Sequence, residues 1–235
     1  MSHFELKDYL CKNVIRGKYN LCNMLTVKSF EFNPVQENTY VLSGEKDACC
    51  IIDPGCYFGN ERAALKEHIE QQGLSPELLL NTHCHLDHVF GNQFVGETWD
   101  LPLYLHEKEQ PVLAMAPAMG LQWGMPFENY RGELIYLVPG RSVMMGEDEL
   151  EILFLPGHSP GSVGFYCREQ GFLIGGDVLF RDSIGRTDLP GGDHDTLLRS
   201  IREKLWPLPD ETIVYPGHGE PTTIGHERAH NPFLR

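Results

Sequence analysis

The sequence predicts a protein of the α/β or α+β class, and three observations carry that prediction. Short apolar runs with strand character are followed by helix-like stretches, this order occurs twice along the chain, and no linker separates the two occurrences. Two similar halves packed together are therefore expected. A chain of 235 residues is long enough for this, since a domain of that size buries about 70% of its unfolded surface and needs no disulfide.

Near the N-terminus Leu6 and Leu10 are spaced as on one helix face, in a stretch too short and polar to be a domain. Val27 to Phe32, Asn38 to Ser43 and Ala48 to Ile52 read as a meander, joined by turns at Asn33-Pro34 and Gly44-Glu45-Lys46-Asp47. A helix is expected from Asn60 as N-cap, with Leu65 and Ile69 on one face and Gly73 as its stop. Val89 to Trp99 suits a short helix and Leu103 to Leu105 a strand. From 106 to 140, Met115, Met119, Trp123, Met125, Phe127 and Tyr130 lie among prolines and glycines without a clean period. That stretch is expected as irregular core cover, part of it lining an acyl pocket. Leu150 to Phe154 reads as a strand, and Val163 to Cys167 with Phe172 to Ile174 as a hairpin around Glu169-Gln170-Gly171. Asp195 is expected to cap a helix whose face is Leu197, Leu198, Ile201 and Leu205, ending at Trp206-Pro207.

Chemistry concentrates in Thr82-His83-Cys84-His85-Leu86-Asp87-His88, directly after the apolar Leu78-Leu79-Leu80. Histidines at i and i+2 of an extended chain point to the same side, and an Asp-His pair beyond a turn points elsewhere, so one segment can feed two metal ions. Cys84 alternates away from both histidines and is expected as a packed thiol. Further donors end apolar runs: His158 after Leu155-Pro156-Gly157, Asp177 after Ile174-Gly175-Gly176, and His218 after Tyr215-Pro216-Gly217. Each follows a glycine, which permits the tight path that lifts a side chain off a strand end into a shared cleft.

The ordered series His83, His85, Asp87, His88, His158, Asp177, His218 resembles that of the metallo-β-lactamase-fold hydrolases, from Met24 onward. Asn38-Thr39-Tyr40, Ile52-Asp53-Pro54-Gly55, the loop from Gly185 to Asp193 and Gly217-His218-Gly219 are similar to the glyoxalase II-like (hydroxyacylglutathione hydrolase-like) subgroup. The resemblance implies an α+β fold, a four-layer αββα sandwich with metals at one edge between its sheets. It implies that His83, His85 and His158 hold one metal and Asp87, His88 and His218 the other, with Asp177 bridging them. Asp53 is then expected to accept an imidazole N–H behind the ligands. Arg186 and Asp188 are expected to tie the loop after Asp177 to the site. Residues 1–23 have no counterpart and are taken as an N-terminal extension of a hydrolase domain spanning 24–235. The helical C-terminal region of glyoxalase II proper is also missing after His218, which favours thioester chemistry over glutathione specificity. His3, His106, His194, His226 and His230 have no role in this scheme.

All seven expected ligands are nitrogen or oxygen donors, a set that suits two divalent ions, zinc first, with iron or manganese as alternatives. The expected nucleophile is a hydroxide shared by the metals, with Asp87 and Asp177 as the catalytic carboxylates, because a metal lowers the pKa of bound water toward 7. The expected reaction is hydrolysis of an acyl thioester, S-D-lactoylglutathione or a related one. A lactonase or esterase on the same dinuclear site and a mononuclear-iron persulfide dioxygenase are the alternatives. The absence of a cysteine ligand disfavours β-lactamase, and metal storage without turnover is the weakest reading.

Nineteen basic against 33 acidic residues, a net charge of −14, and no Lys/Arg-rich run disfavour a nucleic-acid partner and leave a small molecule. No apolar run approaches the roughly 18 residues of a transmembrane helix, so no membrane partner is expected. Met1 to Asp8 interleaves charge with apolar residues, unlike a secretory signal. Seven cysteines, with Cys49 and Cys50 facing opposite sides of a strand, are expected as reduced thiols in a cytoplasmic protein.

Overall fold

The computed structural model describes residues 24–44 and 47–235. The expected extension 1–23, with its Leu6/Leu10 face and His3, and the middle of the Gly44–Asp47 turn lie outside the described residues.

The first half runs β1 (Thr26–Phe32), β2 (Glu37–Ser43), β3 (Ala48–Ile52), α1 (Gly59–Gln71), β4 (Ser75–Leu80), α2 (Leu86–Val89), α3 (Asn92–Trp99), β5 (Leu103–Leu105), α4 (Gln110–Gln122) and β6 (Leu134–Tyr136). The second runs β7 (Ser142–Met145), β8 (Asp148–Phe154), β9 (Val163–Cys167), β10 (Phe172–Gly176), a small hairpin of β11 (Leu179–Phe180) and β12 (Ser183–Ile184), α5 (His194–Ser200), β13 (Ile213–Pro216), β14 (Thr222–Thr223) and α6 (Ile224–His230). Each half contributes one six-stranded sheet, ordered β1-β2-β3-β4-β5-β6 and β14-β13-β10-β9-β8-β7.

The halves share a construction. β1 to β3 form the expected antiparallel meander, and α1 then crosses over so that β4 joins β3 in parallel. Likewise β8, β9 and β10 pair antiparallel, and the crossover through α5 brings β13 parallel to β10.

Strand alternation divides the apolar side chains among three cores. Leu42, Cys50, Ile52 and Leu80 of the first sheet meet Ile152, Phe165 and Ile174 of the second. Their sequence neighbours Cys49, Ile51 and Leu79 point the opposite way, against Leu65 and Ile69 of α1 and Leu113 of α4. On the far side Leu173 and Val214 pack on Leu197, Ile201 and Leu205. The layers are thus helices, sheet, sheet, helices, the αββα sandwich. Leu78-Leu79-Leu80 is apolar without alternation because β4 is covered on both faces, and each fully buried leucine contributes about 1.5–3 kcal/mol. Among the described residues no helix is long and apolar enough to cross a membrane.

Four expectations about elements are corrected. The first helix begins at Gly59 rather than after an Asn60 cap, because the Glu61 carboxylate reaches back to accept from the Tyr57 and Phe58 amides at 2.8 and 3.0 Å. The cap of α5 is Asp193, which accepts from the Thr196 amide at 2.8 Å, and Asp195 sits in the first turn. Val89 to Trp99 is broken into α2 and α3. The stretch 106–140 is not irregular: it holds a 3-10 turn (Glu107–Glu109), α4 and β6.

Candidate metal centre

The donor residues leave C-terminal ends of strands: Asp53 follows β3, His83 follows β4, His158 follows β8, Asp177 follows β10 and His218 follows β13. His85 has extended backbone and α2 starts at the next residue. His83 and His85 therefore emerge side by side, ring centroids 4.7 Å apart, whereas Asp87 and His88 emerge from the first turn. Two glycines make room. Gly176 has φ +53° and a Cβ there would strike Thr82, while a Cβ on Gly217 would strike Asp177 and His88.

Two trios of donor atoms result, each within 4.8 Å: His83, His85 and His158, and Asp87, His88 and His218. His158 Nε2 lies 3.2 Å from His83 Nε2 and 2.8 Å from His85 Nδ1. His218 Nε2 lies 3.1 Å from Asp87 Oδ2, and His88 Nε2 3.7 Å from the same oxygen. Asp177 stands between the trios, with Oδ2 3.5 Å from both His158 Nε2 and His218 Nε2 and Oδ1 3.5 Å from His88 Nε2.

Four imidazoles have their tautomers set from behind. His158 Nδ1 lies 2.8 Å from the Arg186 carbonyl, and His218 Nδ1 3.1 Å from the carbonyls of Val35 and Gln36. A carbonyl only accepts, so both Nδ1 atoms carry the proton and both Nε2 lone pairs face the cluster. Asp53 Oδ2 lies 3.2 Å from His88 Nδ1 and imposes the same on His88. The Thr82 hydroxyl donates to Asp53 Oδ2 at 2.5 Å and so accepts from His83 Nδ1 at 3.1 Å. One carboxylate thereby orients an imidazole in each trio. His88 Nε2 and Asp177 Oδ1 are buried with no hydrogen-bond partner. Inward lone pairs, converging carboxylates and orphaned polar atoms fit a pair of cations and little else.

The same asymmetry governs protonation. Burial holds His83 well below the ordinary histidine range, lowers His158, and pushes His85 down to about 3. Burial also opposes charge on His88 and His218, but Asp177 and Asp87 outweigh it and raise both. Asp177 is held well below the carboxylate range and Asp87 below it, in both cases against burial and chiefly by His88.

Further residues support the cluster, of which Glu109 and Glu37 belong to no motif in the sequence and Asn38 and Tyr40 lie in the motif Asn38-Thr39-Tyr40. Glu109, fully buried, accepts from Cys84 N at 2.8 Å, Ser159 Oγ at 2.6 Å and Gly161 N at 2.6 Å. It thus ties the loop of His83 and His85 to the loop of His158. Asn38 donates to the carbonyls of Pro216 and Gly219 and the Tyr40 hydroxyl to that of Pro216, which clamps the loop of His218 to β2. Glu37 lies buried 3.8 Å from His88 Nδ1, its carboxyl raised well above the usual range by burial, and accepts from Thr39 Oγ1. Buried acids of this kind have no signal but their later surroundings.

Arg186 reaches the cluster through its backbone carbonyl, while its side chain pairs at 2.7 Å with exposed Asp188. Among the described residues, no hydrogen bond or ion pair links the Asp188 side chain to the donor trios. The Cys84 thiol packs into the core between sheet and helices, and burial pushes it well above its usual range. His106 is buried and stacks on Phe154 at 4.7 Å. His226 joins Asp182 and Glu227 in a separate group, in which Glu227 also holds the Asp182 amide and Asn231, so that α6 is tied to the β11–β12 hairpin.

The cluster floors a cleft of about 550 Å³. Its walls include Leu86, Val112, Met115, Met119 and Trp123 on one side and Phe180, Arg181, Ile184 and Arg186 from the β11–β12 hairpin and the loop after it.

Fold and cluster together define a metal-binding hydrolase, and the comparisons agree. The model of the metallo-beta-lactamase superfamily matches residues 32–218, and the chain belongs to that superfamily, whose fold binds divalent metals. It is 43% identical over 202 residues to the probable metallo-hydrolase YqgX of Bacillus subtilis, covering 86% of this chain and 93% of that one. It is 37% identical over 201 residues to the hydroxyacylglutathione hydrolase GloC of Haemophilus influenzae, covering 85% and 93%. Among crystal structures, the BLEG-1 B3 metallo-beta-lactamase superposes with a TM-score of 0.82 at 41% identity over 89% of this chain and 99% of that one. TTHA1623 in a di-iron-bound form gives 0.79 at 38% identity over 88% and 100%.

Proposed function

We propose that this protein is a dinuclear metallohydrolase of acyl thioesters, with His83, His85 and His158 holding one divalent ion, Asp87, His88 and His218 the other, and Asp177 shared. The observation that carries the reading is the lack of a proton donor. Four imidazoles are pinned with lone pairs inward, and His85 is kept neutral by burial with its pKa at about 3. His88 and His218 would give up their protons to bound metal, so the loaded cluster would keep no side chain able to protonate a poor leaving group, and a thiolate needs none. When bound, the ions lower the pKa of water and polarise the carbonyl. Asp87 and Asp177 would orient the attacking water, and Asp53 keeps two imidazoles aligned with a proton on Nδ1. The likeness to GloC supports a thioester substrate, and a cleft of about 550 Å³ suits a small molecule rather than a nucleic acid. Zinc is the first choice of metal, and the di-iron form of TTHA1623 supports iron as the second. The five described cysteines are free and buried, which supports a cytoplasmic setting.

A thiolate leaves with a pKa of about 8.5 and an alkoxide with one near 15.7, taking water as stand-in, a gap of about 7 units. With a third of that expressed in the transition state, an oxygen ester costs about 3 kcal/mol more, roughly a hundredfold in rate. The test is kcat/KM for a thioester and its oxygen isostere on protein of defined metal content. Equal rates, with chemistry limiting, would defeat the reading and favour an esterase or lactonase. A second reading, hydrolysis of a β-lactam amide, is favoured by the likeness to BLEG-1. A chromogenic cephalosporin in the same assay separates the two.

A further inference from the structure

α4 reads Gln-Pro-Val-Leu-Ala-Met-Ala-Pro-Ala-Met-Gly-Leu-Gln and carries no charged residue, on a chain of net charge −14. A helix apolar on every side is expected to be buried on every side. One side of α4 meets that expectation: Leu113, Ala116 and Gly120 are buried. The other does not. Val112, Met115, Met119 and Trp123 recur at intervals of three and four residues and line the cleft, with Val112 and Met119 half-buried against the core and Met115 and Trp123 exposed. Met115 is 47% exposed and Trp123 50%. An apolar stripe that runs continuously into the wall above a hydrolytic cluster selects for what lies there during the reaction.

We infer that the acyl group of the substrate is an unbranched apolar chain lying along this stripe. The inference rests on the thioester reading for its chemistry but not for its binding surface. Methionine suits such a chain, since its flexible thioether fits a run of methylenes without demanding one length. The occupant is the substrate rather than a protein because the stripe shares one cleft with His85, Asp87, Asp177 and His218.

Complete burial of a methylene corresponds to about a fourfold gain, and burial against one wall to about half of that in free energy, or twofold. The experiment uses N-acetylcysteamine thioesters of acetate, butyrate, hexanoate and octanoate, with D-lactoyl as reference, on metal-loaded full-length protein. From acetyl to octanoyl, six methylenes at twofold each, kcat/KM should rise roughly sixtyfold. In parallel, the matching S-alkyl thioethers, which cannot be hydrolysed, should bind metal-free protein with affinity rising by the same factor per methylene, read from tryptophan emission with Trp123→Phe as control. Met115→Gln should lower the octanoyl-to-acetyl ratio at least about fivefold. Rates and affinities that do not change with chain length, or a lactoyl rate above hexanoyl, would overturn the inference. Chain-length-dependent thioether binding with no thioester turnover would uphold it and overturn only the thioester reading. Emission that follows protein concentration instead of thioether would put a second copy on the stripe, and would likewise overturn it.

Discussion

Replacing Asp53 by Asn should disable both trios at once, and the hydrogen bonds say how. Asp53 Oδ1 accepts from the Thr82 amide at 2.7 Å, which cannot reverse, and from Asn81 Nδ2 at 3.2 Å, whose orientation is held by its second bond to the His88 carbonyl. In the Asp53→Asn variant the carboxamide oxygen must therefore stay there, which puts the new NH2 in place of Oδ2, facing the Thr82 hydroxyl and His88 Nδ1. His88 can then only accept at Nδ1, so its proton moves to Nε2 and points into the cluster. The Thr82 hydroxyl, accepting from the new NH2, turns its own proton toward His83 Nδ1 and reverses that imidazole too. The backbone at Asp53 has φ +50°, which Asn tolerates, so the fold should survive. Loss of an orienting partner costs about 10- to 100-fold in metal affinity at each site, about 3 to 5 kcal/mol summed over the two. Metal titration by calorimetry, with circular dichroism as a check on folding, measures this. A folded Asp53→Asn protein binding two equivalents within about threefold of the parent affinities would refute the hydrogen-bond relay.

Asp177→Ala removes the one carboxylate within 3.5 Å of donors in both trios, so bound metal and hydrolysis should fall together; two equivalents with full activity would refute its shared position. Glu109→Ala leaves three buried donors without an acceptor and should destabilise the metal-free protein by about 3 to 5 kcal/mol in urea denaturation, with a loss under about 1 kcal/mol counting against its bracing role. Metal affinity should depend on pH unequally. His88 and His218 are raised, so near pH 6.5 they hold protons that a metal must displace, whereas His83, His85 and His158 are lowered and hold none. Falling pH from about 7.5 to 6 should therefore weaken binding at the Asp87, His88 and His218 trio more steeply than at the His83, His85 and His158 trio; two equivalents with parallel slopes in calorimetry would contradict the assignment.

What the sequence determined by itself was a crowded segment of donor side chains and two halves of strands followed by helices, while the four layers and the full ligand set came from the resemblance. Ligation demands particular side chains, and His83 to His88 crowds four of them beside an apolar run, so the chemistry is visible before any folding. Alternation likewise placed Cys49 and Cys50 on opposite faces, since side-chain direction in a strand is a local property of the backbone. Tertiary structure decided what depends on distant partners. The nitrogen that four of the five histidines present is set from behind, by Asp53, Thr82, Arg186 and Val35, up to 183 residues away. Glu109 reads as an ordinary surface acid until Cys84, Ser159 and Gly161 close around it, 25 to 52 residues distant. α4 had no period because it is apolar toward both the core and the cleft, and two overlapping stripes cancel. In each case the deciding force acts between segments that only the packed sheets bring together, and a linear pattern holds no trace of it.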